Sequence, residues 1–543
     1  MDRRKFIRTS GLSLASVLVA KTFYGSSKID SADVINIPDK ITAEANQQII
    51  PLDKVKDAVW ENNGISVQLK NSKKALAVFV EASDVELTNV VLHWNVPVGS
   101  GLVLNDSWER TYGDVSWHRS KESEMFPWYF MEYNQEQLSG FGVNTGSGSF
   151  CSWQFGNGRL SLALDTHSGG KGVLLGDRKL KAAEIVTYRG KQGESPFQEA
   201  RQFMKVMSRK PRLPKHPVYG INDWYYCYGK NTHESILDHT RVTSGLSDNP
   251  ANLPFSVIDD GWFEGRDVSQ PNRKFPDMPG LADEIRKLGM RPGIWTRPLI
   301  SDDGKFNSSR LLQRKNNDGV IDPTIPENIE LIKNYFNLYK NWGYEMVKVD
   351  FSTFDIFGKW GFQMLEGNPM TIPGWSMYDR SLTNAEVITN FYEAIRQSSG
   401  NMYVIGCNTL SHLSAGFFEL NRTGDDTSGL EWGRVSRLGV NTLAFRGIQH
   451  DIFYASDADC VGLTKEIPWE KNKQWMELLA KSGTPLFISA QPEVVGKEQK
   501  EFIRKCFSIA SRQQPLGEPL DWMENQNPTK WKFGEEIVQY DWS

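Results

Sequence analysis

The stretch Met346-Val347-Lys348-Val349-Asp350-Phe351 decides how the rest of this chain is organised. Its two valines indicate a short buried strand, and an amphipathic helix over roughly 326–341 leads into it. Lys348 and Asp350 share one face of the strand, because side chains alternate with a period of two. A lysine and an aspartate at the end of a strand are typical of the mouth of a parallel barrel, where catalytic residues collect. An ion pair that merely closes the strand is the alternative.

Length and composition place the chain among multidomain globular proteins. A length of 543 residues predicts two or three domains. A hydrophobic content of 39% and a charged content of 24% are ordinary for such proteins. The 18 tryptophans favour carbohydrate binding only slightly, because exposed indole faces grip sugar rings but buried ones fill cores.

The first 25 residues have the layout of an export signal. Arg3 and Arg4 precede an apolar run from Leu12 to Ala20, as in twin-arginine signals, and a disordered basic tail is the alternative. The run is too short for a permanent membrane anchor. We therefore expect a periplasmic or secreted protein. Without these 25 residues, which carry five basic side chains and one acidic one, the formal charge changes from −4 to −8, so nucleic acid or anionic membrane is not an expected partner.

The cysteines and histidines indicate neither a disulfide framework nor a metal site. The odd number of cysteines leaves at least one thiol free. The eight histidines lack the HExxH and HxH spacings of zinc sites, so no metal and no cofactor is expected. The five cysteines are Cys151, Cys227, Cys407, Cys460 and Cys506.

Changes of pattern along the chain predict three structural regions after the signal. Short alternating runs over 30–195 predict an antiparallel β-sandwich. The proline-rich stretch from Lys210 to Pro217 marks a boundary, and a catalytic domain is expected over 210–512. Residues 513–543 are too few for a domain and predict a short β segment with a hairpin. The loop over 108–114 combines charges with aromatics, which suits a hinge, an interface or an active-site loop, or only a solvated turn.

After Pro217 apolar strands alternate with helices. Eight strand–helix units over this length predict a (β/α)₈ TIM barrel. A doubly wound open sheet is the alternative, but no glycine-rich phosphate loop follows the first strand. The predicted strands are 218–226, 254–259, 291–296, 345–351, 402–407, 417–420, one near 452–455, and 485–489.

Acidic residues collect at the ends of five of these strands. Because the ends of parallel strands meet at one side of a barrel, such a collection predicts one site rather than a solvated rim. In strand order the acids are Asp223; Asp259 and Asp260; Asp350; Asp425 and Asp426; and Asp457 and Asp459.

Two carboxyl groups that face each other across a pocket are the minimum for glycoside hydrolysis. Lys348 beside Asp350 would keep that carboxylate ionised, so that it can attack carbon. Asp425 fits the acid that protonates the leaving oxygen, although its neighbour Asp426 leaves the assignment between the two open.

Other groups at the strand ends suit sugar binding. The pair Asp259-Asp260 can bind hydroxyls, and Trp224 or Trp262 could lie under an apolar sugar face. Calcium binding by Asp457 and Asp459 is a competing interpretation, because hard cations also prefer clustered carboxylates.

At these residues the chain resembles the clan of retaining α-galactosidases, glycoside hydrolase families 27 and 36. The resemblance covers roughly residues 195–515, and the preceding β-sandwich is similar to the family 36 arrangement. The motifs that carry it are Ile258-Asp259-Asp260-Gly261-Trp262, Pro292-Gly293-Ile294-Trp295, Val347-Lys348-Val349-Asp350, Gly424-Asp425-Asp426-Thr427, Ser456-Asp457-Ala458-Asp459 and Thr484-Pro485-Leu486-Phe487-Ile488-Ser489.

The resemblance implies a double-displacement hydrolysis of terminal α-galactosides. Asp350 would be the nucleophile and Asp425 the acid/base, while Asp259 and Asp260 would bind O4 and O6 of the sugar. Lys348 and Arg422 would also contact the sugar. Together with the candidates named from the residues themselves, the predicted substrate-binding residues are Trp224, Asp259, Asp260, Trp295, Lys348, Cys407, Asn408, Arg422 and Asp426.

Three departures from the clan leave the sugar open. Cys407-Asn408 stands where members select the substituent at C2, Arg422 stands one residue closer to Asp425 than the matching pair in some members, and the C-terminal β domain is short. An enzyme acting on α-N-acetylgalactosaminides or β-L-arabinopyranosides is therefore one alternative. A non-catalytic carbohydrate-binding protein is another, which the presence of both Asp350 and Asp425 disfavours.

Overall fold

A computed structural model describes residues 37–543, apart from 73, 97–98, 123, 157, 302–306, 315–318 and 366–369. The predicted export signal over 1–25 lies outside the described residues. In the described part, no helix has the length and apolar character needed to cross a bilayer.

The N-terminal region is an antiparallel β domain. Thirteen of its strands form one continuous sheet, in the order β7-β9-β10-β15-β5-β4-β3-β2-β1-β6-β12-β11-β8, and β13 pairs with β14. In chain order the strands are β1 (Lys40–Ala45), β2 (Gln48–Lys56), β3 (Val59–Asn62), β4 (Ile65–Asn71), β5 (Leu76–Ala82), β6 (Leu87–Trp94), β7 (Leu102–Asn105), β8 (Phe126–Pro127), β9 (Tyr129–Asn134), β10 (Gln137–Val143), β11 (Phe150–Gly156), β12 (Arg159–Asp165), β13 (His167–Ser168), β14 (Lys171–Gly172) and β15 (Gly176–Arg189).

Alternation of side chains gives this sheet its buried face. In β5, alternate residues from Leu76 to Ala82 are buried and those between them are half-exposed. The two ends of the strand order then pack face to face, since the rings of Phe130 and Phe141 lie 6.1 and 6.2 Å from that of Trp153. The expectation of an antiparallel β domain before the barrel is therefore confirmed.

One helix joins the two domains. Helix α1 (Pro196–Met207) begins after Ser195, whose side chain accepts a hydrogen bond from the Gln198 N–H. Its Phe203 packs against β10 at Gly140, where a β-carbon would come within 2.6 Å of the ring. The glycine is needed because helix and sheet approach so closely.

The second domain is a parallel α/β domain, which we call the barrel. Nine of its strand segments run parallel in one sheet, a two-stranded antiparallel hairpin is separate from that sheet, and helices lie between most of the parallel strands. In chain order the elements are β16 (Tyr219–Asn222), α2 (Trp224–Cys227), α3 (His233–Thr243), β17 (Phe255–Ile258), β18 (Phe263–Glu264), β19 (Asp267–Pro271), α4 (Met278–Lys287), β20 (Arg291–Thr296), α5 (Pro326–Asn341), β21 (Met346–Val349), α6 (Ser352–Phe357), α7 (Asn384–Ser399), β22 (Tyr403–Gly406), α8 (Ser411–Ser414), β23 (Leu420–Arg422), α9 (Trp432–Val435), α10 (Thr442–Arg446), β24 (Ala455–Asp457), β25 (Cys460–Leu463), α11 (Trp469–Lys481), β26 (Leu486–Ala490) and α12 (Lys497–Ala510).

The barrel closes through a broken seventh strand. β24 pairs with β23, β25 pairs with β26, and only Ala458 and Asp459 separate the two halves. Asp459 has a φ of 73°, a left-handed conformation that interrupts the strand. Each half runs parallel to its neighbour, and the two halves are the first and last strands of the sheet order. The parallel sheet therefore closes into a barrel at this strand.

Three strand predictions were wrong by several residues. The first strand was expected over 218–226, but β16 ends at Asn222 and Trp224–Cys227 form helix α2. The sixth strand was expected over 417–420 and the seventh near 452–455, but β23 and β24 begin at Leu420 and Ala455. The apolar residues that misled the prediction pack outside the barrel wall: Phe418 contacts Tyr392 and Phe453 contacts His412. Apolar runs alone do not distinguish a strand from a buried loop.

The C-terminal segment is a small sheet, as expected. It consists of β27 (Glu518–Pro519), β28 (Lys530–Phe533) and β29 (Glu536–Gln539). The Trp432 indole N–H donates to the Trp542 carbonyl at 2.9 Å, which fastens the segment to the barrel. The multidomain β plus α/β architecture is thus confirmed, and the domain limits at 30–195, 210–512 and 513–543 stay predictions.

Candidate active site

Asp350 lies where β21 ends at the barrel mouth. The strand stops because Phe351 adopts a left-handed conformation with a φ of 58°. One carboxylate oxygen of Asp350 accepts the Phe351 backbone N–H at 2.7 Å, and the other accepts the Trp295 indole N–H at 3.2 Å. Two N–H donors therefore hold the carboxylate in one orientation at the strand end.

Lys348 contacts Asp259 instead of Asp350, which corrects the expected pairing. Its Nζ lies 2.8 Å from an Asp259 oxygen, and both side chains are buried. The same oxygen accepts the Asn222 amide at 2.7 Å. Burial would lower the pKa of Lys348, but the charge of Asp259 raises it well above its ordinary value. Lys348 and Asp350 share a strand face, yet the long lysine side chain reaches across the mouth to β17.

The acids after the first two strands form a chain of contacts. Asp223 accepts the Asp259 backbone N–H at 2.7 Å and the Asn231 amide at 2.6 Å. Complete burial, and then the charge of Asp259, raises the pKa of Asp223 to about 7. Burial followed by the charges of Asp259 and Asp350 raises the pKa of Asp260 to about 6. The negative charge of Asp259 therefore disfavours ionisation of both Asp223 and Asp260.

Asp425 and Asp426 follow β23 on the opposite side of the mouth. One oxygen of Asp425 lies 2.7 Å from Arg110, and the other lies 3.1 Å from Arg434. Asp426 is more exposed, at 37% against 17%, and its contacts with Arg110 and Arg422 are long, at 3.5 and 3.6 Å. The same carboxylate oxygen of Asp426 makes both of these contacts, whereas each oxygen of Asp425 contacts a different arginine.

Arg110 comes from the N-terminal domain, in a segment over 106–112 that we call the docking loop. Thr111 pairs with Gly424 as in a parallel sheet: its N–H donates to the Thr423 carbonyl at 3.0 Å, and its carbonyl accepts the Asp425 N–H at 2.9 Å. Of the readings of residues 108–114 that the sequence left open, the structure thus selects a loop that reaches the barrel mouth.

Cys407 lies between two arginines, and Asn408 does not face the mouth freely. The Cys407 sulfur is 3.5 Å from a guanidinium nitrogen of both Arg110 and Arg422. The Asn408 side chain is fully buried; its oxygen accepts the Phe354 N–H at 3.0 Å and its amide donates to Glu109. Asn408 as a direct sugar ligand is therefore not supported, because both ends of its amide are occupied.

The tryptophans differ in what they can contact. Trp262 is fully buried and its N–H donates to the Trp295 carbonyl at 2.9 Å, so it cannot lie under a sugar. Trp295 is also buried. Its ring stacks on that of Phe263 with the centroids 6.0 Å apart, and its indole N–H donates a hydrogen bond to Asp350. Trp224 is only partly buried, beside Tyr228, and stays a candidate for a sugar platform.

The calcium interpretation of Asp457 and Asp459 is not supported. Arg422 is fully buried and lies 2.7 Å from Asp459 and 3.9 Å from Asp457. Asp459 also accepts the Thr427 N–H at 2.8 Å and the Tyr225 hydroxyl. A guanidinium thus stands where a metal would need to bind. Arg422 lies closer to Asp459 than to Asp426, at 2.7 against 3.6 Å. Its expected role as a sugar ligand stays a prediction.

Sequence reasoning missed three cations at the mouth, one of which is Arg434 at 3.1 Å from Asp425. Arg110 was only part of an ambiguous loop, and Arg297 follows β20 without any motif. Arg297 pairs with Asp355 at 2.6 Å and lies 4.2 Å from the centre of the Phe351 ring. Its position directly after a strand end was the one available signal.

Comparisons with known proteins agree with this architecture, although no protein-family model matches the chain. The α-galactosidase AgaA of Geobacillus stearothermophilus is 24% identical over 165 residues, which span 28% of this chain and 22% of that protein. A solved structure of AgaA, a GH36 enzyme, in complex with stachyose matches with a TM-score of 0.58 at 13% identity, over 86% of this chain and 71% of that one.

Two further solved structures share nearly the whole fold. TtGalA, an α-galactosidase from Thermus thermophilus in complex with p-nitrophenyl α-D-galactopyranoside, matches over 92% of this chain and 99% of its own, at 17% identity and a TM-score of 0.57. A GH31 sulfoquinovosidase from E. rectale matches over 93% and 87%, at 13% identity and a TM-score of 0.54. The resemblance to GH36 α-galactosidases is confirmed, and the same fold occurs in GH31.

Proposed function

We propose that this protein is a retaining glycoside hydrolase that cleaves terminal α-galactosides, with Asp350 as the nucleophile. The observation that carries the proposal is the carboxylate of Asp350, which two N–H donors orient at the end of β21. Retaining glycosidases need such a carboxylate on one side of the sugar and a proton donor on the other. The similarity to α-galactosidases of known structure supports the choice of galactosides.

The sugar would be bound on the β17 side of the mouth. Asp260 is partly exposed, and Asp259 is fixed by Lys348 and the Asn222 amide. Carboxylates held in this way accept hydrogen bonds from sugar hydroxyls, and the Lys348 ammonium donates to one. Binding of O4 and O6 by this group is part of the proposal, and it orients the anomeric carbon towards Asp350.

The acid/base would come from the pair Asp425–Asp426. Asp425 is the residue that the sequence analysis favours, and its two oxygens lie 2.7 Å from Arg110 and 3.1 Å from Arg434. Asp426 keeps more exposed surface, and its charge acts on Tyr225 and Arg422 inside the barrel, whereas that of Asp425 acts on Glu109 and Tyr112. The greater exposure favours Asp426 as the member of the pair that a substrate can reach.

The identity of the sugar is tested by screening the purified protein on aryl glycosides. We expect hydrolysis of nitrophenyl α-galactoside to exceed that of the α-N-acetylgalactosaminide and the β-L-arabinopyranoside. Proton NMR of the first-formed sugar should show the retained anomer. An inverted anomer, or no turnover of any glycoside despite binding, would contradict the proposal; binding alone would favour the carbohydrate-binding alternative.

Export is a separate proposal that rests on Arg3 and Arg4 before the apolar run. Cell fractionation with N-terminal sequencing should find a periplasmic or secreted chain that starts after Ala20. A cytoplasmic chain that retains Met1 or Asp2 would contradict it.

A further inference from the structure

The docking loop carries charged side chains from the N-terminal domain into the barrel. Asp106, Glu109 and Arg110 are all buried there. Asp106 pairs with Arg446 at 2.9 Å, and Glu109 accepts the Gly361 N–H at 2.9 Å. A β-carbon at Gly361 would lie 2.2 Å from the Glu109 side chain, so the two surfaces meet without a gap. Burying charges is costly unless each finds a partner, so this loop fits one arrangement of the domains.

Arg110 is the member of this loop that reaches the carboxyl pair. One terminal nitrogen of its guanidinium lies 2.7 Å from Asp425, and the other lies 3.5 Å from both Asp426 and the Cys407 sulfur. Its guanidinium carbon is 5.9 Å from the centre of the Trp360 ring. The planar fork thus touches both acids at once, which a single point charge cannot do.

We propose that Arg110 is a positioning residue of the active site, supplied by the N-terminal domain, which fixes the Asp425–Asp426 pair and assigns the proton-donating role to one member. Arg110 makes its shorter contact with Asp425, at 2.7 Å, and its longer contact with Asp426, at 3.5 Å, so it holds the pair in one arrangement and leaves Asp426 the less restrained of the two. The proposal rests on the proposed glycosidase function.

The charges that face the pair come from several elements. Arg422 on β23, Lys348 on β21 and Arg434 on α9 also act on Asp426, while Tyr225 on α2 faces it. Glu109 and Tyr112 of the docking loop face Asp425. Partial burial would raise the pKa of Asp426, but the charge of Arg110, followed by those of Arg422, Lys348 and Arg434, lowers it. Removal of Arg110 therefore raises the pKa of Asp426.

A purely structural role for Arg110 makes a different prediction, and Arg178 provides the matched control. Arg178 also comes from the N-terminal domain and also pairs with the barrel, at 2.7 Å from Glu386. Glu386, however, lies at the start of α7 and away from the Asp425–Asp426 pair. Arg178→Gln should lower the stability of the domain contact without changing the pH profile or the leaving-group dependence.

The experiment compares Arg110→Gln, Arg110→Met and Arg110→Lys with the wild type and Arg178→Gln. Each is assayed for kcat/KM against pH on methyl α-galactoside, whose leaving group needs a proton, and on dinitrophenyl α-galactoside, whose leaving group does not. We expect the neutral variants to lose about 10²-fold or more on the methyl glycoside and less than about tenfold on the dinitrophenyl glycoside. Their alkaline limb should move up by about one pH unit, and Arg110→Lys should restore it.

Each outcome decides the proposal. Equal losses on both substrates, an unshifted alkaline limb, or a similar profile for Arg178→Gln would assign Arg110 to the domain interface and overturn it. Failure of all three Arg110 variants to fold would do the same. Absence of wild-type activity on either substrate would instead contradict the proposed function, so the two failures are distinguishable.

Discussion

The two acidic sides of the barrel mouth are built in opposite ways. Asp350 takes its donors from Trp295 and Phe351, so its site lies within adjacent strands of one domain. Asp425 and Asp426 are held by Arg110, which belongs to the other domain. The Asp350 side is therefore complete once the barrel folds, whereas the Asp425–Asp426 side also requires the docked N-terminal domain.

The largest effect is expected on the barrel side of this comparison. Asp350→Asn should lower kcat by roughly 10⁴-fold or more, because an amide cannot form the glycosyl–enzyme ester. Steady-state kinetics on nitrophenyl α-galactoside measures the loss. Asp248→Asn, at an exposed ion pair with Arg512, is the control and should keep wild-type activity. Near-normal turnover by Asp350→Asn would place the chemistry on another carboxylate.

The acid side should respond through one member of its pair. Asp426→Ala is expected to lose about 10²- to 10⁴-fold on methyl α-galactoside, with far smaller loss on the dinitrophenyl glycoside. Azide should then be trapped as a glycosyl azide of retained configuration. Asp425→Ala is the matched comparison. If it alone shows this pattern, the acid/base is Asp425, as the sequence analysis expects.

The buried ion pair between Lys348 and Asp259 is expected to contribute more to the free energy of unfolding than an exposed ion pair does. Lys348→Met should lower the free energy of unfolding by about 3–5 kcal/mol, because it leaves Asp259 buried without a cation. Lys179→Met breaks a half-exposed pair with Glu81 in the β domain and should cost no more than about 1 kcal/mol. Denaturant unfolding measures both, and adding Asp259→Asn should recover part of the loss. Equal costs for the two lysines would contradict this account.

The smallest effect concerns pH. The pKa of Asp223 is raised from 3.8 to about 7, so between these values the folded state binds more protons than the unfolded state. Its contribution therefore makes stability fall as pH rises through that window. Asp223→Asn removes this titration and should flatten the decrease in stability from pH 5 to pH 7.5, measured as melting temperature, by the equivalent of about 2–3 kcal/mol. An unchanged slope would show that Asp223 is not protonated in the fold.

The sequence alone determined the features that repeat locally. The helix over 326–341 was predicted with the observed ends, because its apolar periodicity is encoded within the segment. Alternation and strand-end position also placed Asp350, Asp259 and Asp260 at one mouth. The sixth and seventh strands were misplaced, since Phe418 and Phe453 are as apolar as any strand residue yet lie outside the barrel wall.

Only the tertiary structure decided which charges meet. Lys348 is two residues from Asp350 but pairs with Asp259, 89 positions away, and Arg110 reaches Asp425 across 315 positions and a domain boundary. Asn408 was predicted to be a sugar ligand, but its side-chain amide donates a hydrogen bond to Glu109 of the other domain. Backbone periodicity fixes the face on which a side chain lies, but its partner depends on which strands and loops pack around it, and that is a property of the folded chain.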